Sequence, residues 1–265
     1  MPKEVIQSLH SPQVERVKAL SNSRAKKIRS QTGEFLIDSW PALESALTPK
    51  LSRSPKLKVI YGTANGLEKL REFNVDPEID IYEVTENVLK EMSEVITPQG
   101  IIGIAIKAEP KFESFESSQK ILYLWQMQDP GNAGTVIRSA DAAGFDLIIF
   151  SPESVDIYSA KVIRSAAGSH WHIPVLSEVP LEKSVDYFHQ RGHAIFALDA
   201  KGDVNVKELA AHQPLLLLFG NEARGIPELP EYVKTAFIPM RGNAESFNVA
   251  TSAAIAMYEI GLRPL

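Results

Sequence analysis

Leu215-Leu216-Leu217-Leu218-Phe219 runs directly into Gly220-Asn221-Glu222-Ala223-Arg224-Gly225-Ile226-Pro227. An apolar run without polar alternation predicts a strand buried on both faces, as in the interior of a parallel sheet. The polar, glycine-containing segment after it lies beyond the strand's carboxyl end, where open α/β sheets bind their ligands. Two other runs repeat the arrangement. Ile121–Trp125 leads to Gln128-Asp129-Pro130-Gly131-Asn132-Ala133-Gly134 and to a helix expected over Thr135–Ala143, which carries Arg138 and is closed by Gly144. Ala236–Ile238 leads to Pro239-Met240-Arg241-Gly242-Asn243-Ala244-Glu245-Ser246-Phe247-Asn248. A last helix follows, with Val249, Ala253, Ala256, Met257 and Ile260 at helical spacing. Leu147–Phe150 and Ala194–Leu198 supply further strands. One such loop is a weak signal, because Gly and Pro punctuate most loops and a Ser or Asn before a helix is more often a cap than a catalyst. Three of them on one edge of one sheet point to a site.

Upstream, residues 109–119 form a polar stretch of low hydrophobicity, read as a linker. Before it, expected strands at Phe35–Ile37, Val59–Tyr61, Ile79–Tyr82 and Gly100–Ile106 alternate with helices at Trp40–Leu47, Leu67–Phe73 and Thr85–Met92, the pattern of a small α/β unit. The predicted domains are therefore 1–108, the linker, and 120–265. A further helix, expected over Val14–Arg29, is basic: it carries Arg16, Lys18, Arg24, Lys26, Lys27 and Arg29 against the single acid Glu15. A phosphate backbone would be attracted to such a stretch, although a solvated helix face has the same composition.

The 265 residues carry a net charge of −5 and no cysteine. Disulfides, thiolate zinc sites and cysteine nucleophiles are thereby excluded. The N-terminus lacks the apolar core of a signal peptide, and no run approaches the length of a membrane span, so a cytoplasmic protein is expected. There is no GxGxxG after a first strand and no GxxxxGK[ST], which argues against dinucleotide and P-loop sites. The histidines show no HExxH spacing and the serines no GxSxG elbow, and no ligand cluster implies a metal.

Taken together, the three loops resemble the three motifs of the SpoU (TrmH-like) branch of the SPOUT RNA methyltransferases. The resemblance rests on Asn132-Ala-Gly134-Thr-Val-Ile-Arg138, on Leu218 through Ile226, and on Ile238-Pro239-Met240 with Ser246-Phe247-Asn248-Val249-Ala250. Ser159-Ala-Lys161-Val-Ile-Arg164-Ser-Ala-Ala-Gly168 also looks like a family segment. Ser11–Val17, Gly33–Asp38 and Thr97–Gly100 are similar to the family's L30e-like substrate-binding domain. The resemblance implies a parallel-sheet SPOUT domain with a C-terminal trefoil knot, a homodimer formed through that domain, and S-adenosylmethionine as methyl donor without a metal. It implies transfer to a ribose 2′-hydroxyl of RNA, with ribosomal RNA favoured and transfer RNA the alternative.

By position, the cofactor contacts fall on Phe219, Gly220, Ile238, Met240, Phe247 and Asn248. Phe247 departs from the family's usual Leu. The catalytic set falls on Arg138, Asn132, Glu222, Ser246 and Asn248. Arg138 would act with a substrate phosphate, Asn132 would hold the ribose or orient Arg138, and Glu222 would fix Arg138 by a bidentate pair. RNA contacts fall on Arg16, Arg24, Lys26, Lys27 and Arg164. Competing readings are an RNA-binding paralogue without activity and a base methyltransferase; the arginine-centred first motif favours ribose.

Overall fold

A computed structural model describes residues 2–21, 25–221 and 224–261. By packing, the chain divides into two compact units, Met1–Ala108 with Asp156–His172, and Glu109–Val155 with Ile173–Leu265.

In the first unit the strands β1 (Val5–Ile6), β2 (Glu34–Ile37), β3 (Lys56–Gly62), β4 (Asp80–Val84) and β5 (Ile101–Ile106) form one mixed sheet in the order β1-β4-β3-β5-β2. Helices α1 (Pro12–Ser21), α2 (Lys26–Thr32), α3 (Trp40–Leu47), α4 (Ala64–Leu70) and α5 (Glu86–Met92) connect and cover it. Thr63 and Thr85 cap α4 and α5, accepting hydrogen bonds from Gly66 N and Val88 N. The single basic helix expected from Val14 to Arg29 is instead two helices, α1 ending at Ser21 and α2 beginning at Lys26; Arg24 lies outside the described residues.

The unit's core draws on a distant part of the chain. Helix α6 (Pro130–Ala142) and strand β7 (Leu147–Phe150) belong to the second unit, but Asp156–His172, with α7 (Ala160–Ala166), packs with the first. Continuous boundaries at 108 and 120 do not include this excursion. Its anchors are aromatic. The Phe35 ring lies 4.7 Å from Tyr158 and 6.1 Å from Trp171, and Trp171 Nε1 donates to the Pro55 carbonyl at 2.9 Å. Gly168, at φ 98°, lets the turn after α7 close on α3, where a Cβ would collide with Ser45 and the Pro41 carbonyl.

An ion pair ties the same segment down: Arg29 Nε donates to Asp156 Oδ2 at 2.7 Å, and an Arg29 terminal nitrogen donates to the Leu20 carbonyl, also at 2.7 Å. Arg29 is only 2% exposed. It therefore serves the interior and not the surface, although in sequence it belongs to the basic run.

The second unit carries a sheet of seven strands in the order β10-β12-β9-β11-β6-β7-β8, comprising β6 (Lys120–Leu124), β7, β8 (Val175–Leu176), β9 (Ala194–Leu198), β10 (Val204–Asn205), β11 (Leu215–Phe219) and β12 (Lys234–Phe237). Every pairing in it is parallel, and Leu215–Phe219 is buried throughout. This is the arrangement expected from the unbroken apolar runs. Helix α8 (Leu181–His189) and the last helix α9 (Val249–Gly261) complete the unit. The stretch read as a linker is not an unstructured spacer. Phe112–Phe115 forms a 3-10 turn, and Phe112 enters the core beside Tyr187 and Phe188, at ring separations of 4.8 and 5.6 Å. Apolar anchors in a polar run override its average composition.

Two predictions follow from the first unit. Asp156→Ala strands the buried Arg29 charge, and a loss of about 3–5 kcal/mol is expected in chemical denaturation. His170 is buried, and its Nε2 donates to the Ile157 carbonyl at 3.0 Å, because a carbonyl can only accept. Burial depresses its pKa to about 4 from the usual 6.5. Between those values the unfolded chain holds a proton that the folded chain refuses. His170's contribution is thus complete above pH 6.5 and is lost as pH falls toward 4. Denaturation midpoints recorded across that window should fall less steeply in His170→Gln than in the wild type.

Candidate active site

Three neighbouring strands of the second unit, β12, β9 and β11, end on the same edge of the sheet. Beyond them lies a cavity of about 510 Å³, within the usual range for a small-molecule site. From the end of β11 and the loop after it, it takes Phe219, Gly220 and Asn221; from the segment after β12, Ile238, Met240, Ser246 and Phe247; from α9, Val249 and Ser252. Two contributions escaped the sequence reading. One is the end of β9, Ala197–Ala200 with Asp199; the other is the strap beyond Pro227 that leads to β12, with Leu229, Glu231 and Val233. The β9 loop could have been found, since Asp199-Ala200-Lys201-Gly202-Asp203 follows an apolar strand just as the other loops do.

The second loop is a closed turn. Asn221 and Gly225 exchange backbone hydrogen bonds at 3.0 and 2.9 Å. Gly220 owes its identity to this closure and not only to ligand approach, since a Cβ there would lie 2.5 Å from the Gly225 carbonyl carbon. The Asn221 side-chain amide donates to the Gln126 carbonyl at 2.9 Å, and an Arg224 terminal nitrogen donates to Gln126 Oε1 at 3.3 Å. These bonds moor the loop to the segment leaving β6.

That segment enters α6 earlier than the expected Thr135. Asp129 caps the helix by accepting from Asn132 N at 2.8 Å, and Pro130 occupies its first position. Asn132 is therefore helical. The third loop reaches it through Asn248, whose Nδ2 donates to Asn132 Oδ1 at 3.3 Å. Asn248 is also the N-cap of α9, its Oδ1 accepting from Ala250 N at 2.9 Å and from Thr251 N at 3.3 Å. The cap is thus Asn248 and not Ser246, which lines the cavity.

Arg138 is exposed on α6 and is not part of the cavity lining. It stands six positions after Asn132, about 120° around the helix axis, so the two side chains leave α6 on different faces. Glu222 lies outside the described residues.

The remaining candidates are in the first unit. Arg16 pairs with Glu34, whose hydrogen bond raises the guanidinium pKa further. Arg164 pairs with the buried Asp38, whose own carboxyl is pushed up by burial against the pull of Arg164. Lys26 and Lys27 are exposed on α2.

Residues 119–258 match the family model described as the SpoU rRNA Methylase family, more than half of the chain. The chain belongs to this family. Residues 14–103 match an MRM3-like substrate binding domain. The chain is 31% identical to the 23S rRNA (guanosine(2553)-2'-O)-methyltransferase RlmP of Bacillus subtilis, over 96% of this chain and 99% of that protein. It is 36% identical to the 23S rRNA (uridine(2479)-2'-O)-methyltransferase of Streptomyces viridochromogenes, over 49% of this chain and 48% of that one. The AdoMet-bound rRNA methyltransferase structure from Sinorhizobium meliloti superposes with a TM-score of 0.84 at 28% identity, covering 97% of this chain and 96% of the other. The α/β fold with its parallel sheet is therefore that of the SPOUT methyltransferases.

In this SpoU chain the double duty of Asn248 is separable. Asn248→Ala removes the cap of α9 and is expected to cost about 1 kcal/mol in thermal or chemical unfolding. Asn248→Asp restores the acceptor without the donor to Asn132 and should recover most of that loss; a variant as unstable as the alanine would place the stabilisation in the Asn132 contact instead.

Proposed function

We propose that this chain transfers a methyl group from S-adenosylmethionine to a ribose 2′-hydroxyl of 23S ribosomal RNA. The observation that carries the reading is the cavity itself, assembled from the second and third SpoU motifs at the carboxyl ends of parallel strands. Its lining suits the donor. Phe219, Ile226, Leu229, Ile238, Met240 and Phe247 offer apolar surface for the adenine and the thioalkyl chain, and Asn221, Thr235, Ser246 and Ser252 offer hydrogen-bonding groups for the ribose and the amino-acid end. When bound, the donor supplies an electrophilic methyl carbon. Relatives that methylate 2′-oxygens of 23S rRNA support the substrate class, and since one acts at a guanosine and another at a uridine, the family does not dictate the base.

The chain's own task is to bring a ribose oxygen to the mouth of the cavity and relieve it of its proton. Arginine stays protonated in proteins. In this reading Arg138 therefore clamps the phosphate next to the target ribose and orients the hydroxyl, whose proton passes to a phosphate oxygen. Asn132, linked to Asn248, steadies the sugar. The exposed position of Arg138, outside its own chain's cavity lining, supports a homodimer in which a second copy presents Arg138 to the site; Tyr258, 62% exposed on α9, supplies apolar surface on the same unit. Lys26 and Lys27, with Arg24, are the RNA contacts of the first unit in this reading. Arg16 and Arg164 would join them by exchanging their carboxylate partners for phosphate.

The same reading carries an L30e-like first unit, a trefoil knot in the second and a cytoplasmic location. Among the described residues no helix is long and apolar enough to cross a membrane.

The deciding experiment is transfer of labelled methyl to unmodified 23S and transfer RNA, followed by nucleoside mass analysis. A 2′-O-methylated nucleoside from 23S RNA is expected, with Arg138→Ala reducing transfer at least about 100-fold while donor binding persists. A methylated base, or label confined to transfer RNA, would overturn the assignment.

A further inference from the structure

Among the described residues that line the cavity, the charged ones are Asp199 and Glu231, and both are acids. Glu231 is exposed and has neither a hydrogen-bond nor an ion-pair partner among the described residues. It is held at the cavity by its neighbours. Val233 N donates to the Pro230 carbonyl at 2.9 Å, closing a turn around Glu231. The adjoining Tyr232 stacks on His189 at the end of α8, with ring centroids 3.7 Å apart, and its hydroxyl donates to Asp186 Oδ1 at 2.7 Å. Leu229, Tyr232 and Val233 pack on the core of the unit. Asp199 is fixed from the other side, its backbone amide donating to the Ala236 carbonyl at 2.9 Å and its Oδ1 accepting from Lys201 N at 2.7 Å. Two carboxylates on rigid supports thus give the cavity a negative field.

We propose that Asp199 and Glu231 are specificity-determining residues that make the cavity prefer the sulfonium methyl donor over its thioether product. The inference rests on the methyl-donor reading above. The two ligands share the adenosine, the ammonium and the carboxylate. They differ in the sulfonium charge, so the donor carries one net positive charge and the product none. A negative field acts on that difference and is indifferent to everything the ligands share. The methyl group leaves as a cation equivalent, and the charge that drew the donor into the cavity leaves with it. The product keeps none of that attraction, so fresh donor displaces it more effectively than in a neutral cavity. A carboxylate about 4 Å from a cation in a water-like medium is worth roughly a fivefold preference, and added salt screens it.

The test is isothermal titration calorimetry of the full chain at low salt with S-adenosylmethionine and S-adenosylhomocysteine, in the wild type, Glu231→Gln and Asp199→Asn. Both substitutions keep shape and remove charge, and Asn at 199 retains the acceptor for Lys201 N. The ratio of product Kd to donor Kd should fall roughly fivefold in each variant, through weaker donor binding, with product affinity unchanged. That unchanged affinity also certifies an intact fold. A ratio equal to the wild type's overturns the proposal. So does equal weakening of both ligands, which would mean that the acids hold the shared ammonium group. If the wild type binds neither ligand, the methyl-donor reading falls and this inference falls with it.

Discussion

Parallel pairing of β9, β11 and β12 is the constraint on which the site depends. Strands that run the same way must all send their chains out at one edge, and each return has to cross the sheet before the next strand can begin. The loops at that edge therefore meet whatever their separation in sequence. Phe219, Ile238 and Asp199 share a cavity because three neighbouring strands share a direction. Burial of the sheet on both faces makes that direction costly to change: Leu215–Phe219 has no solvent face to which a slipped register could turn its side chains.

The central strands were legible because burial on both sides writes an unbroken apolar run, and the loops were legible because they follow such runs. Strands of two residues, β1, β8 and β10, carry too little pattern to read. The start of α6 was missed for a different reason. Pro130 and Gly131 look like loop residues, yet Pro suits the first position of a helix and Asp129 caps it. The linker misled through its average composition, which hides Phe112.

Charge was the least legible property. Arg29 and Arg164 add to a positive count in the sequence, but their partners Asp156 and Asp38 lie 127 and 126 residues away. A pairing over that separation leaves no local trace, so a basic run can be part surface and part interior. The same holds for Glu231. Nothing adjacent to it in sequence marks it as part of a cavity; only the packing of Tyr232 against α8 puts it there. The second and third motifs, by contrast, could be assigned to one edge of the sheet before any coordinates, because strand polarity fixes that edge.

The excursion Asp156–His172 has a consequence for how the protein is made. The amino-terminal unit borrows Tyr158, Trp171 and the partner of Arg29 from a segment that leaves the ribosome only after β6, α6 and β7 of the other unit. A nascent chain ending near Ala108 holds Phe35 without its aromatic neighbours and Arg29 without its counter-charge. The amino-terminal unit therefore cannot finish folding before synthesis of its successor is well under way. Nor can it be moved to another protein as a single continuous gene segment.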